Sequence, residues 1–143
     1  MLKEQLKEIA LTFFTVPEQY KLAIEDVSDK NATFHWKDVN KVEGYYIELD
    51  RDGNLLCLAQ PLMQSNELIS IKKQQQIAEQ FLTTQYAEAL HYYTLSKITE
   101  HEDRTRFKFE QFVGGYPLAR FYCIIEIAAN GQVLDFNYKG YTK

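Results

Sequence analysis

Two alternating apolar runs joined by an Asx-Gly dipeptide occur twice in this chain, and nothing else in it constrains the fold as tightly. In the first, Tyr45-Tyr46-Ile47-Glu48-Leu49 leads into Arg51-Asp52-Gly53-Asn54 and out through Leu55-Leu56-Cys57-Leu58-Ala59. In the second, residues 120–128 lead into Asn130-Gly131 and out through residues 132–138. Asp-Gly or Asn-Gly between such runs is the strongest short-range signal of a β-hairpin, because glycine accepts the positive φ that tight turns require. Strands linked by hairpins pair antiparallel.

Two helical patterns accompany these hairpins. Leu2, Leu6, Ile9, Ala10 and Phe13 fall on one face at helical spacing, with Lys3, Glu4, Lys7 and Glu8 opposite. Val16-Pro17 stops this helix, since the residue before proline is pushed out of the α region. A second helix is predicted from Ser70 to about Tyr86, with Ser70 as its cap and Ile77, Ala78, Phe81 and Leu82 as its apolar stripe. Further alternating strands are read at Thr33–Lys37, Tyr92–Ile98 and Arg106–Glu110. A turn of charges lies at Glu100–Arg104 and another turn at Gly114-Gly115-Tyr116-Pro117.

The order repeats. Ile9-Ala10 with Phe13 matches Ile77-Ala78 with Phe81, and Phe34-x-Trp36 matches Phe107-x-Phe109. Gly53 matches Gly131, each with a glutamate, Glu48 or Glu126, five residues upstream. The offset drifts from 68 at the helices to 78 at the last turns. The reading is an α+β protein of two tandem helix-plus-antiparallel-sheet units packed as one compact body. Residues 1–62 form the first unit and residues 63–143 the second. Each helix has one apolar stripe and each sheet one apolar face, so they cover each other.

Register at the first hairpin has two readings. A two-residue turn sets Leu56 and Leu58 beside Leu49 and Ile47; a longer loop with Gly53 in a bulge sets Leu55 and Cys57 there. At Asn130-Gly131 a type I′ turn matches Ile127, Ile125 and Cys123 to Leu134, Phe136 and Tyr138.

The segment Phe109-x-x-Phe112, Gly114-Gly115-Tyr116-Pro117, Ile124-Ile125-Glu126-Ile127 and Asn130-Gly131-Gln132-Val133 resembles the hairpin part of PepSY-type and thermolysin-propeptide-type domains. The first half is similar to one branch, the YcdB/YcdC repeated domain, through Val16-Pro17-Glu18-Gln19-Tyr20, Phe34-x-Trp36 and Ile47-Glu48-Leu49-Asp50-Arg51-Asp52-Gly53. The resemblance implies a PepSY-like fold and a non-enzymatic protein- or peptide-binding or regulatory module. It implies a peptidase as one kind of partner, and a place in a longer cell-envelope protein of Gram-positive bacteria. It brings no catalytic residues with it. The alternatives are a structural or self-association module acting as a homodimer, and a small α+β ligand-binding domain.

Composition limits other classes. Net charge is −4 and the pI about 5.4, which argues against nucleic acid and anionic membrane as main partners. No apolar run is long enough to span a membrane, and Met1–Glu8 mixes charges with apolar residues as no signal peptide does. The compartment is therefore read two ways: cytoplasmic if Met1 is the native start, extracytoplasmic if the chain is part of a longer one. Cys57 and Cys123 read as two reduced, largely buried thiols. His101-Glu102-Asp103 reads as a solvated turn, and Glu48 and Glu126 as outward residues of alternating strands. No metal, cofactor or catalytic site is expected. No H-E-x-x-H, C-x-x-C, G-x-S-x-G or phosphate-loop motif occurs.

Aromatics are the remaining lead. With ten Tyr and nine Phe, alternation sends one ring of each pair Tyr45-Tyr46 and Tyr92-Tyr93 to either face. Exposed tyrosines are typical of protein interfaces, having an apolar body and a polar tip. Tyr46, Tyr92, Tyr116 and Tyr122 are the candidate protein-binding face, with Tyr138 and Tyr141 also in or beside strands.

Overall fold

The computed structural model describes residues 1–140, so Tyr141 lies outside the described residues. The elements run α1 (Lys3–Ala10), β1 (Lys21–Val27), β2 (Asn31–Lys37), β3 (Tyr45–Asp50), β4 (Leu55–Ala59), α2 (Ile71–Gln85), α3 (Ala89–Tyr92), β5 (Tyr93–Glu100), β6 (Arg104–Val113), β7 (Tyr116–Ala128) and β8 (Val133–Lys139). The fold is α+β and its hairpin-linked strands pair antiparallel. The chain divides into two compact units, Met1–Pro61 and a second beginning at Leu62.

In unit 1 the strands lie in the order β1-β2-β3-β4. Alternation does the sorting: Ala32, Phe34 and Trp36 of β2 and Tyr45, Ile47 and Leu49 of β3 are buried, while their neighbours are half-buried. Helix α1 packs on β2 and β3 through Leu6 and Ala10, and Phe14 just beyond it completes an i, i+4, i+8 row. The Phe14 ring meets Trp36 and Tyr45 edge-on at 5.8 and 5.2 Å. The helix ends at Ala10, short of the Val16-Pro17 stop. Leu2 is exposed because it caps the helix, its N–H donating to Gln5 Oε1 at 2.8 Å. Strand β1 was not foreseen: six of its seven positions face solvent, so it carries no alternation. Arg51 ties the unit's turns together, donating to the Ser28 and Met1 carbonyls at 2.8 Å each.

The first hairpin resolves its register by a bulge. Leu49 pairs with Leu55, Leu56 is the extra residue, and Ile47 pairs with Leu58. Each earlier reading was half right: Leu55 and Leu58 are buried, and Cys57 stands opposite Glu48 on the other face.

In unit 2 the order is β5-β6-β7-β8. The buried row of β6 is Thr105, Phe107 and Phe109; that of β7 is Cys123, Ile125 and Ile127. Helix α2 starts where predicted, Ser70 Oγ accepting from the Lys73 N–H at 3.1 Å. It packs on β6 and β7 through Gln74, Ala78 and Leu82, the same i, i+4, i+8 row as in α1, with Ile77 and Phe81 half-buried beside it. Each fully buried large side chain contributes roughly 1.5–3 kcal/mol.

Four expectations for unit 2 are corrected. The Asn130-Gly131 turn is not type I′, because no residue other than glycine has a positive φ. Gly131 (φ +95°) instead closes a three-residue loop, with its N–H donating to the Ala128 carbonyl at 2.9 Å. Consequently Ile127 pairs with Val133 rather than Leu134, while Ile125–Phe136 and Cys123–Tyr138 hold as read. The turn at Gly114-Gly115 is two residues long, both with positive φ, so Tyr116 and Pro117 belong to β7. Tyr92 lies in the short helix α3, not in a strand.

Two predictions follow from the local geometry. A Cβ on Gly53 would meet Ile9 Cδ1 at 2.8 Å, and one on Gly131 would meet the Ile69 and Ile77 Cδ1 atoms at 3.2 Å, both at positive φ. Gly53→Ala and Gly131→Ala should each lose about 1–2 kcal/mol in urea unfolding, whereas Gly114→Asn, with nothing within 4 Å, should stay within about 0.5 kcal/mol of the parent. Gln74 is buried where α1 has Leu6; its Nε2 donates to the Ile69 carbonyl at 3.2 Å but its Oε1 has no partner. Gln74→Leu should gain about 1 kcal/mol by relieving that orphan acceptor.

Candidate functional site

The face of the unit 2 sheet opposite the Phe107–Phe109 row carries the chemistry. Because side chains alternate along a strand, β6 sends Arg104, Arg106, Lys108 and Glu110 to this face. In register with them, β7 sends Tyr122, Ile124 and Glu126, and β8 sends Asp135 and Asn137.

Glu126 is the organising residue. It is only 7% exposed, although it lies on the face away from the helix. Arg106, directly opposite on β6, donates from Nε to Glu126 Oε2 at 2.8 Å; Arg104 donates from Nη1 to Oε1 at 3.0 Å. The two guanidinium groups cover the carboxylate and occupy both its oxygens. Burial disfavours its charge, yet the bonds from Arg104 and Arg106 more than offset this and hold its pKa below the ordinary value. Glu126 is thus an outward residue of an alternating strand, as read, and the two arginines bury it there. Arg104 also pairs with Asp103 at 3.2 Å, which lowers the Asp103 pKa and raises that of the arginine.

On the other side of Glu126 stands Asp135, its cross-strand partner on β8. Burial, and then the Glu126 charge, push the Asp135 carboxyl up to about 6. Further along the face Lys108 Nζ sits 5.6 Å from the Tyr122 ring centre, a cation–π distance, and 4.0 Å from Glu110.

In unit 1 the matching positions on the face opposite the core hold a glutamate but no arginine. Asn31 donates to Glu48 Oε2 at 2.7 Å, and Cys57 lies across from that glutamate. Tyr46 meets His35 edge-on at 5.6 Å. Burial, then Lys37, lowers the His35 pKa.

The predicted tyrosines do not form one cluster. Within unit 2, Tyr122 is half-buried on the charged face, Tyr116 is 77% exposed beside the β6–β7 turn, and Tyr92 is exposed on α3. Tyr46 belongs to unit 1. Tyr45 and Tyr93 are the buried members of their pairs. Cys123 is buried and its thiol is pushed up by that burial, which opposes nucleophilic chemistry; Cys57 is half-buried rather than buried. Among the described residues no three His, Cys, Asp or Glu side chains gather as metal ligands, and no helix is long and apolar enough to cross a membrane. A cleft of about 330 Å³ in unit 2, with Leu62, Met63 and Leu68 on one side and Asp103 and Asn130 on the other, lies under a loop that Asn130 and Gln132 anchor through Met63.

Sequence reasoning missed Arg104, Arg106 and Asp135. The signal was present: Arg104-x-Arg106-x-Lys108 alternates on one face, and the Gly131 loop fixes which β8 residue meets Glu126.

The carboxyl pair carries a pH prediction. Asp135 has a folded pKa above its unfolded value near 4. The folded form therefore binds the extra proton between about pH 4 and 6, and the Asp135 contribution to stability falls as pH rises through that window. Glu126 acts in the opposite sense and at lower pH, its stabilisation being lost as pH falls through its lowered pKa. Asp135→Asn should thus match the parent at pH 4 and exceed it by about 1 kcal/mol at pH 7, after allowance for partial exposure, in urea titrations across pH.

Comparison with known proteins places this geometry in a family. The chain is 28% identical to the uncharacterized protein YcdC of Bacillus subtilis (strain 168), with 98% of the chain aligned; it spans about a third (32%) of that relative's length. The Bacillus megaterium YpeB C-terminal domain shares the fold, with a TM-score of 0.73 at 14% identity over all of this chain and 67% of that one. The model of the YcdB, YcdC repeated domain matches residues 3–140, so the chain belongs to this PepSY-like family.

Proposed function

We propose that the chain is a non-enzymatic protein- or peptide-binding module of PepSY type that engages its partner through the β6–β7 hairpin of unit 2. The observation that carries this reading is the tip of that hairpin. Phe112, Val113 and Tyr116 stand exposed together around Gly114-Gly115, and a Cβ at either glycine would touch nothing within 4 Å. Adjacent exposed apolar and aromatic side chains of this kind mark contact surfaces. Tyr116 belongs to this tip and Tyr122 to the same hairpin farther along; Tyr92 is a separate exposed candidate contact within unit 2, and Tyr46 a candidate contact of unit 1 by itself. A peptidase within a cell envelope is the partner that the family resemblance favours.

The reading includes two tandem units, residues 1–62 and 63–143, descended from one helix-plus-sheet pattern. Matching irregularities support it. The β1–β2 pairing slips between Leu22 and Ile24, and the β5–β6 pairing slips 73 positions later, between Leu95 and Lys97. The bulges at Leu56 and Leu134 lie 78 positions apart. In unit 1 the connection matching the β6–β7 tip exposes Val39 and Val42.

Placing the photo-crosslinker p-benzoylphenylalanine at position 116 in cells of the source organism tests the binding surface. The expected result is a discrete cross-linked species from position 116 and none from the exposed control position Lys72 on α2. The same species from both positions, or none from position 116, contradicts the reading. Tyr116→Ser should lower retention of that partner about tenfold without loss of thermal stability, as expected for an exposed contact residue.

A further inference from the structure

We infer that the outer face of unit 2 between β5 and β7 docks an acidic, extended peptide segment of the partner, with Lys97 and Lys108 as its anion-binding pair. This rests on the protein-binding reading above and names the chemistry of what is bound.

Lys97 and Lys108 are directly opposite in the β5–β6 register. Like charges at such positions destabilise a sheet. Among the described residues, the nearest relief is Glu110 at 4.0 Å from Lys108, the outer limit of an ion pair, and no carboxylate is paired with Lys97. The arrangement differs from the neighbouring Arg104–Glu126–Arg106 clamp, where the cations are matched within hydrogen-bond distance. A bound carboxylate between the two lysines would supply the missing counter-charge.

The surroundings fit a peptide rather than a small anion. Lys108 is in register with Ile124 on β7, and Tyr122 lies next along the same strand face with its ring near the Lys108 ammonium. Both are half-buried and offer apolar surface beside the charges. An extended chain places like-facing side chains roughly 6–7 Å apart, which suits alternating acidic and apolar contacts along this face. The clamp matches Arg104 and Arg106 to Glu126, so the cations of this face with no carboxylate within hydrogen-bond distance among the described residues are Lys97, Lys108 and Lys139, the last in register with Tyr122 on β8. In unit 1 the positions 73 residues earlier are Ile24 and His35, so the lysine pair is particular to unit 2. The chain as a whole has a charge of −4, so the pair is a local exception and not part of a general polyanion surface.

The test uses the full chain and a fluorescein-labelled peptide of Glu, Leu and Ser, read by fluorescence anisotropy. Saturable binding is expected, weakening as NaCl is raised from about 50 to 300 mM. Lys97→Glu should weaken it at least about tenfold and Lys97→Gln several-fold. Lys97 is exposed on a strand paired on one side only, so both variants should keep the parent's circular dichroism spectrum. Lys72→Glu on α2 should bind as the parent does. Absence of saturable binding, or unchanged affinity in both Lys97 variants, overturns the inference. So does equal binding of the matching peptide with Lys in place of Glu, or of a single-stranded oligonucleotide of similar charge. If any of these occurs while cross-linking from position 116 persists, the acidic-peptide inference fails and the protein-binding reading stands. If the peptide binds at the lysine pair and position 116 gives no cross-link, the hairpin tip is the part that fails.

Discussion

A four-stranded antiparallel sheet with one apolar face must have that face covered, and in each unit a single helix does so with three side chains spaced four residues apart. Leu6, Ala10 and Phe14 serve β2 and β3; Gln74, Ala78 and Leu82 serve β6 and β7. Small alanines at the middle of both rows let the helix approach closely, and large aromatics of the sheet, Phe34 and Trp36 or Phe107 and Phe109, fill the space on either side. Because one face of each sheet is committed in this way, the other is free to be polar. The charged face of unit 2 follows from this division of labour.

That free face is constrained in its turn by register. The loop closed by Gly131 inserts Leu134 as an extra residue, and this is what brings Asp135 opposite Glu126 and Phe136 opposite Ile125. A slip of one residue would exchange buried and exposed sets along β8. The same device at Gly53 turns Cys57 away from the core and sets it across from Glu48. The edge strands are also shaped by irregularity. β1 and β5 each pair on one side only, and each carries a bulge, at Ala23 and at Ser96. Bulges and charged residues on an edge discourage pairing with another chain, so these edges are poor candidates for self-association. A contact made through side chains on a hairpin and a sheet face is the better match to this architecture.

Much of this was legible in the sequence, and the exceptions have physical reasons. Period-two alternation identified β2, β3, β6 and the core-facing halves of β7 and β8, since half-buried strands advertise themselves. Strand β1 was silent because it is exposed on nearly every position, and Tyr92 was misread because four helical residues are too few to show a period. Phe14 was overlooked because it follows the end of α1 and reaches the core from a turn. The turn dipeptides gave the hairpins but not their registers, since glycine permits a type I′ turn and a three-residue loop alike. The Arg104–Glu126–Arg106 clamp went unread for the same reason: its three members converge only once the register is known.

Unit 2 is proposed to bind a partner segment across its outer face and hairpin tip. Amide chemical-shift mapping of the full chain by NMR, with the Glu-rich peptide added in steps, tests it most directly. The predicted result is a continuous set of shifted signals from Lys97, Lys108, Tyr122 and Ile124, extending to Phe112–Tyr116, with α2 unmoved. Shifts confined to the Leu62–Leu68 loop or to α2, with β5–β7 unchanged, would contradict it.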